Sequence, residues 1–298
     1  SGDALLDERP FSEILGTTHP AVHGLFRSAA NRLASEPHEL SGHFGSSVIG
    51  SLWAMGKRHA MTVEGGPGGI TRALSERVGD RIITGAKVSR VRAGRPWAEV
   101  DVGRGDRQET VRARFVVFAA QAWAAQETIA NLPADKAEAL RHVKYGPYVV
   151  MAALTRERGP MPYDDLYAVA IGGRTLSMLF NTVNPLRAGA SARTPGGALM
   201  MYAGGERAAS LMSQSDEAIR SQLLSDVYAV FPDVEGQIEE TWIRRLPQGY
   251  PFWEPGRLGR QAALARPFDN IYFAGDWVEY PSTDSAVRSA QLAARIIR

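Results

Sequence analysis

The residues best suited to chemistry lie near the C-terminus. Asn270-Ile-Tyr-Phe-Ala-Gly-Asp-Trp277 reads as a buried strand ending in Ala274-Gly275. Small residues there let a ligand approach the backbone closely. Asp276 follows at the strand's carboxyl end, the usual ligand crevice of an α/β sheet. The segment Ser282-Thr283-Asp284-Ser285 then opens a helix whose free N–H groups and positive dipole end suit an anionic or electron-rich group. The same pattern is equally compatible with a strand, a loop and a capped helix that hold no ligand.

Other candidates are weaker. Pro247 to Gly256 is rich in proline and aromatics, and Tyr250 and Trp253 in it suit either a pocket wall or a packed surface loop. His19 and His23 stand four apart, but no acidic partner completes a metal site, so none is expected. Ser46-Ser47 and Ser282 lack the strand–turn–helix setting of a hydrolase nucleophile. Cysteine is absent, which excludes disulfides, thiolate metal sites and a cysteine nucleophile.

The elements that must position these residues show in the periodicity. Helices are expected at 11–15, from Pro20, at about 40–57, 71–78, 121–130, 134–141, 216–230 and 284–297. Strands are expected at 81–84, 86–92, 97–102, 109–114 and 115–118, then at 148–155, 167–171, 177–181, 198–203, 236–246 and 271–274. Phe115-Val116-Val117-Phe118 is apolar throughout, like a strand covered on both faces.

The chain has 298 residues, 44% hydrophobic and 22% charged, with net charge +2. That is ordinary for a globular chain and too balanced for a nucleic-acid track. No run approaches the ~18 apolar residues of a membrane helix. Ser1 to Pro10 lacks the form of a signal peptide, so a cytoplasmic location is expected.

The C-terminal stretch resembles the flavin-binding signature of the FAD-dependent amine oxidoreductase superfamily. That group spans monoamine, polyamine and L-amino acid oxidases, protoporphyrinogen oxidases and phytoene-desaturase-type enzymes. Further segments match in order. Gly65-Gly66-Pro67-Gly68-Gly69 is similar to the family's glycine-rich turn, Ala86 to Val91 to its adenine-contacting strand, and Arg114 to Ala120 to the strand returning to the dinucleotide. The resemblance covers residues 60–298.

The resemblance implies an α/β fold with an α+β substrate part: a partial, Rossmann-like FAD-binding domain and a substrate domain of antiparallel sheet and helices. The implied divisions are 1–59 (helical, substrate side), 60–122 (FAD), 123–246 (substrate) and 247–298 (FAD). Gly275 and Asp276 would approach the ribityl and pyrophosphate region. The amides of Ser285, Ala286 and Val287 would face the flavin N1–C2=O edge. Val88 would offer main-chain groups to adenine, and Ala119 and Ala120 would line the dinucleotide crevice. The cofactor is expected to be FAD, held non-covalently.

Two departures bear on activity. The βαβ unit carrying Gly-x-Gly-x-x-Gly is not found in this sequence, so a second polypeptide or retained fragment is expected to supply it, making a heterodimer. The strand at Tyr148–Ala153, where many relatives carry a lysine near flavin N5, offers apolar Val149, Val150 and Met151 instead. Hydride transfer needs little acid–base machinery from the protein. Amine or amino acid oxidation to an imine is therefore expected. The alternatives are C–C dehydrogenation of a lipophilic substrate and a non-catalytic subunit supporting a partner flavoenzyme.

Overall fold

The structure is a computed structural model and describes residues 2–54, 62–63, 65–187 and 192–297. The expected end of the second helix at 55–57, and with it Lys57, His59 and Glu64, lies outside the described residues. The chain divides into two compact units, Ser1–Pro67 with Tyr145–Pro255, and Gly68–Lys144 with Gly256–Arg298.

The first unit begins with four helices, α1 (Gly2–Asp7), α2 (Phe11–Leu15), α3 (Pro20–Arg32) and α4 (Gly42–Ala54). His19 caps α3, its Nδ1 accepting from the Ala21 amide at 3.2 Å, so this histidine has a local structural role. A five-stranded sheet follows, built from β5 (Lys144–Thr155), β6 (Ala168–Ala170), β7 (Met178–Asn181), β8 (Gly197–Gly204) and β9 (Ile238–Phe252). Its spatial order is β6-β7-β8-β5-β9. The β6/β7, β7/β8 and β5/β8 pairs are antiparallel. Helices α8 (Asn184–Arg187), α9 (Glu206–Leu211) and α10 (Asp216–Val230) complete the unit.

Alternation decides which sheet face is core. Val149, Met151 and Ala153 of β5, Leu199, Met201 and Ala203 of β8 and Leu179 of β7 pack against Ile219, Leu223 and Val227 of α10. Each such Leu, Ile or Met contributes about 1.5–3 kcal/mol by leaving water. Ser215 starts α10 by accepting from the Ala218 amide at 3.2 Å, with Asp216 and Glu217 complementing the helix dipole. Gly204 is required where the end of α3 crosses β8, since a Cβ there would lie 1.8 Å from the Asn31 carbonyl oxygen. The segment from Pro247, read as either a pocket wall or a packed surface loop, is strand as far as Phe252. Proline is tolerated because β9 is the sheet's terminal strand, where a missing N–H on the open side loses no ladder bond.

The second unit holds a three-stranded antiparallel sheet, β1 (Lys87–Arg92), β2 (Ala98–Arg104) and β3 (Arg107–Ala113). A separate parallel pair joins β4 (Val116–Phe118) to β10 (Ile271–Phe273). Five helices accompany them: α5 (Gly68–Val78), α6 (Ala122–Thr128), α7 (Ala134–Arg141), α11 (Arg257–Ala265) and α12 (Thr283–Ile297). Arg81–Thr84, expected as a strand, is not one: Gly79–Arg81 forms a 3-10 turn. The short α8 and α9, and α11, were not expected.

The unit boundaries differ from the expected divisions at three places. The first is the start of the second unit, at Gly68 rather than at 60; of the other two, residues 123–144 belong with the second unit and 247–255 with the first. Lys136 gives the physical reason for the former. It is fully buried on α7, and its ammonium donates to the carbonyls of Ala263 (2.6 Å) and Leu264 (3.2 Å) at the end of α11. It also stands 4.1 Å over the Phe273 ring of β10. The latter follows from β9, which carries the chain through Phe252 in the first unit's sheet.

Candidate functional site

The expected cofactor residues lie in the second unit, at the shared carboxyl ends of β4 and β10. The parallel register Phe273↔Phe118 places Ala119-Ala120 beside Ala274-Gly275-Asp276, and the Ala274 amide bonds the Phe118 carbonyl at 2.9 Å. Gly275 has φ +153, and a Cβ there would meet the Trp277 indole nitrogen at 2.9 Å. That indole N–H instead reaches the Ala120 carbonyl at 2.9 Å and ties the two strand ends together. Arg257 and Gln261 of α11 hold the following turn by donating to the carbonyls of Trp277 and Val278. Periodicity gave no signal for this bracing, because it rests on side chains reaching backbone oxygens.

Helix α12 is bound to the same spot. The Gly275 amide donates to Ser289 Oγ at 3.0 Å. Ser282 caps the helix by accepting from the Ser285 amide at 3.1 Å, and its carbonyl accepts from the Ala286 amide at 3.2 Å. Two of the three expected amides are therefore spent within the helix, and Val287 lies within its second turn. The free N–H groups of this helix start are those of Thr283 and Asp284, which have no acceptor among the described residues. Spacing alone placed the amides about two residues too far along, because it did not locate the cap.

Asp276 is half-buried, and burial pushes its carboxyl above the usual carboxylate range, against the opposing pull of its own and the Trp277 backbone amides. No ion-pair partner stands beside it among the described residues. It is therefore an available acceptor for a hydroxyl. Val88 lies on a different sheet, in β1. The β1/β2 register shifts between Val88 and Arg90; β1 is an edge strand whose outer side is bridged at Val91, where the Ala130 amide donates to the Val91 carbonyl, and not at Val88 among the described residues. Glycine at the turn, an acceptor and free helix amides at one sheet end, and an open strand edge fit the demands of a dinucleotide.

The expected substrate residues lie in the first unit and differ from each other in character. Trp253 is buried and stacked on Phe44, ring centroids 5.4 Å apart, and its carbonyl accepts from the Ser41 amide. Its ring has a packing role. Tyr250 belongs to a row of five rings across the sheet face opposite α10. Successive centroid distances are 5.6 Å for Tyr167–Phe180, 5.1 Å for Phe180–Tyr202, 5.9 Å for Tyr202–Tyr148 and 6.4 Å for Tyr148–Tyr250, all edge-to-face. The Arg32 guanidinium stands 5.7 Å over the Phe180 ring.

Burial, then the neighbouring Tyr250 phenol, pushes Tyr148 above the usual phenol range, and burial raises Tyr202 too. Both phenols stay neutral across the working pH range. Of the three apolar residues on β5, Val149 and Met151 point into the core, and Val150 stands opposite Tyr202 on the aromatic face. Four of the five rings were not singled out from sequence. Strand alternation carried the signal, but pairing across four strands was needed to assemble them.

Three comparisons bear on identity. The family model for flavin-containing amine oxidoreductases matches residues 21–298. The chain belongs to this family. Among solved structures it is similar to cyclohexylamine oxidase from Brevibacterium oxydans, with 19% identity and TM-score 0.76 over 99% of this chain and 69% of that one. It is also similar to putrescine oxidase bound to putrescine, with 18% identity and TM-score 0.77 over 98% of this chain and 68% of that one. At such identities the likeness speaks for the fold. Among curated proteins, the carotenoid phi-ring synthase of Chlorobaculum tepidum is 26% identical over 83 residues, 26% of this chain and 13% of that protein. The match thus spans a small part of that relative's length. The family is one of flavin-containing oxidoreductases. No helix among the described residues is long and apolar enough to cross a membrane.

Proposed function

We propose that this chain is the greater part of an FAD-dependent oxidase that removes a hydride from an amine of apolar body, giving the imine. The FAD is held non-covalently in the second unit. The observation that carries the substrate reading is the aromatic row of the first unit. Its rings offer negative π-faces and apolar area, and Val150 adds an aliphatic surface, while neutral Tyr148 and Tyr202 bring no charge. Bound flavin would supply the hydride acceptor. The chain's own contribution there is to hold and orient: Asp276 accepts from a ribityl hydroxyl, Thr283 and Asp284 amides face developing negative charge, and Ala119 and Gly275 leave room.

We infer that a further segment carrying Gly-x-Gly-x-x-Gly, as a second polypeptide or a retained fragment, completes the cofactor site. The pair β4–β10 has no third strand among the described residues, although parallel strands occur in larger, covered sheets. Helix α5 buries none of its residues, and α12 exposes Val287, Leu292 and Ile296. These surfaces support a covering segment. The same reading places the assembly in the cytoplasm.

A second reading is favoured by one finding. The 83-residue likeness to a carotenoid enzyme agrees with C–C dehydrogenation of a lipophilic substrate on the same apolar face. Turnover with cyclohexylamine or benzylamine, followed by hydrogen peroxide release, against flavin bleaching with a lipophilic polyene under anaerobic conditions, separates the two. Amine turnover supports the first reading. Bleaching by the polyene alone would replace it with the second, and neither reaction in an FAD-loaded assembly would leave the supporting-subunit role.

A further inference from the structure

One cavity of the first unit gathers positive charge away from the ring row, with which it shares no residue. Its volume is about 420 Å³, and its lining includes Arg27 of α3, Arg174 and Thr175 of the loop after β6, Arg207 of α9 and Asp226 of α10. The acids nearby are already engaged. Glu36 accepts from Arg27 at 2.7 Å and from Asn31 at 2.8 Å, and Glu206 accepts from Arg27 at 2.8 Å. Asp226 accepts from the Leu176 amide at 2.9 Å, and Arg174 reaches it only at 3.5 Å.

Arg207 is left over. It has no ion-pair partner among the described residues. Its Nη1 donates to the Ile171 carbonyl at 3.4 Å and to Ser177 Oγ at 3.3 Å, both long for such bonds, and its Nε and Nη2 have no acceptor among the described residues. Burial, and after it the neighbouring Arg27, pushes its pKa down. A guanidinium withdrawn from water beside another cation lacks the counter-charge that normally offsets this cost. Thr175 adds a donor: its Oγ1 accepts from Gln222 at 2.7 Å, which leaves its own O–H free.

Donors thus surround the cavity from α9, the loop and α3. A carboxylate is planar and suits a single bidentate fork, whereas the three terminal oxygens of a phosphate monoester accept from several sides. The volume is that of a small-molecule site rather than of a bare ion. We propose that this cavity binds a small phosphate monoester by its phosphoryl group, with Arg207 as the anchor and Arg174 and Thr175 as further donors. The inference is independent of the substrate reading.

The test uses the FAD-loaded protein, with its complementary segment if one co-purifies, in calorimetric titrations and thermal melts. The probes are glycerol 3-phosphate, inorganic phosphate and succinate, each against sodium chloride at equal ionic strength. Glycerol 3-phosphate should bind saturably and raise the melting temperature, inorganic phosphate more weakly. Arg207→Gln should weaken the ester's binding by about tenfold or more. The loosely held Arg174 should matter less, and Arg174→Gln should cost about threefold. Arg207→Lys, which keeps the charge but loses the fork, should fall between the parent and Arg207→Gln. Arg9→Gln, at an exposed pair with Glu13, should change nothing. Melts without ligand show which variants fold, and Arg174→Gln with Arg207→Lys carries the test if Arg207→Gln does not. No saturable binding of the ester, equal binding by the Arg207 and Arg174 variants, or tighter binding of succinate would each overturn the proposal. Inorganic phosphate binding as tightly as the ester would overturn the monoester and leave free phosphate as the occupant.

Discussion

Helix α10 of the first unit carries Ile219, Leu223 and Val227 at i, i+4 and i+8, and all three are fully buried against the sheet. Helix α5 of the second unit carries Ile70, Leu74 and Val78 at the same spacing, and they are 44%, 56% and 44% exposed. The two sequences make the same statement about which face is apolar. They differ in whether the described chain supplies something to cover it. An amphipathic stripe therefore identifies a face that packs, and only the structure tells where the partner comes from. The first unit closes its core with its own helices. The second braces its site with polar ties and leaves apolar stripes uncovered.

That contrast is open to mutation. The largest effect is expected in the first unit. Leu199→Ala removes a side chain wholly enclosed by β8, β5 and α10, and should cost about 2–5 kcal/mol in a denaturant titration. A loss under 1 kcal/mol would show that this core is as loosely closed as the second unit. The next effect concerns the cofactor. Asp276→Leu sets an apolar side chain against polar ligand atoms and should weaken FAD affinity by about 1–3 kcal/mol in a fluorescence titration. Unchanged affinity would remove Asp276 from the site. In the parent, acid precipitation should release the flavin colour into the supernatant, since no thioether can form without cysteine.

The sequence was most legible where one element carries its own evidence. Strand β10, the Ala-Gly-Asp turn and α12 were visible because alternation, small residues and a cap lie within 28 consecutive positions, 270–297. The first unit's strands were visible for the same reason. What escaped notice depends on distant partners: the ring row spans four strands, Lys136 finds its carbonyls on α11, and Pro247 reads as a turn unless the strand is known to be an edge. The helix amides were misplaced because a serine cap and the residues after it look alike in a run of Ser-Thr-Asp-Ser.

Lys136 sharpens the comparison through pH. The second unit buries this ammonium, where the first buries Met151 or Leu223. Burial, helped by nearby Arg266, pushes its pKa down from about 10.5 to about 8. Between those values the unfolded chain holds more of the proton, so this group's contribution to stability improves as pH rises. Lys136→Met lacks that dependence. The melting temperature of the parent relative to the variant should therefore rise between pH 8 and pH 10, and a constant difference would mean that the ammonium keeps its proton through the carbonyl and ring contacts.

The smallest expected effect is the most direct test of the uncovered stripe. Leu74 protrudes from α5 with more than half of its surface in water, so Leu74→Ser should change the stability of the isolated chain by no more than about 0.5 kcal/mol. Surface changes away from packed or polar networks have little to lose. If a complementary segment covers α5, the same substitution places a hydroxyl in an apolar contact only in the assembly, and the recovered FAD content of the co-purified complex should fall. The variant thus separates a stripe that merely faces solvent from one that packs: the first predicts no change in either measurement, the second a change in the complex alone. A large destabilisation of the chain by itself would contradict both, and would mean that α5 is packed within its own unit after all.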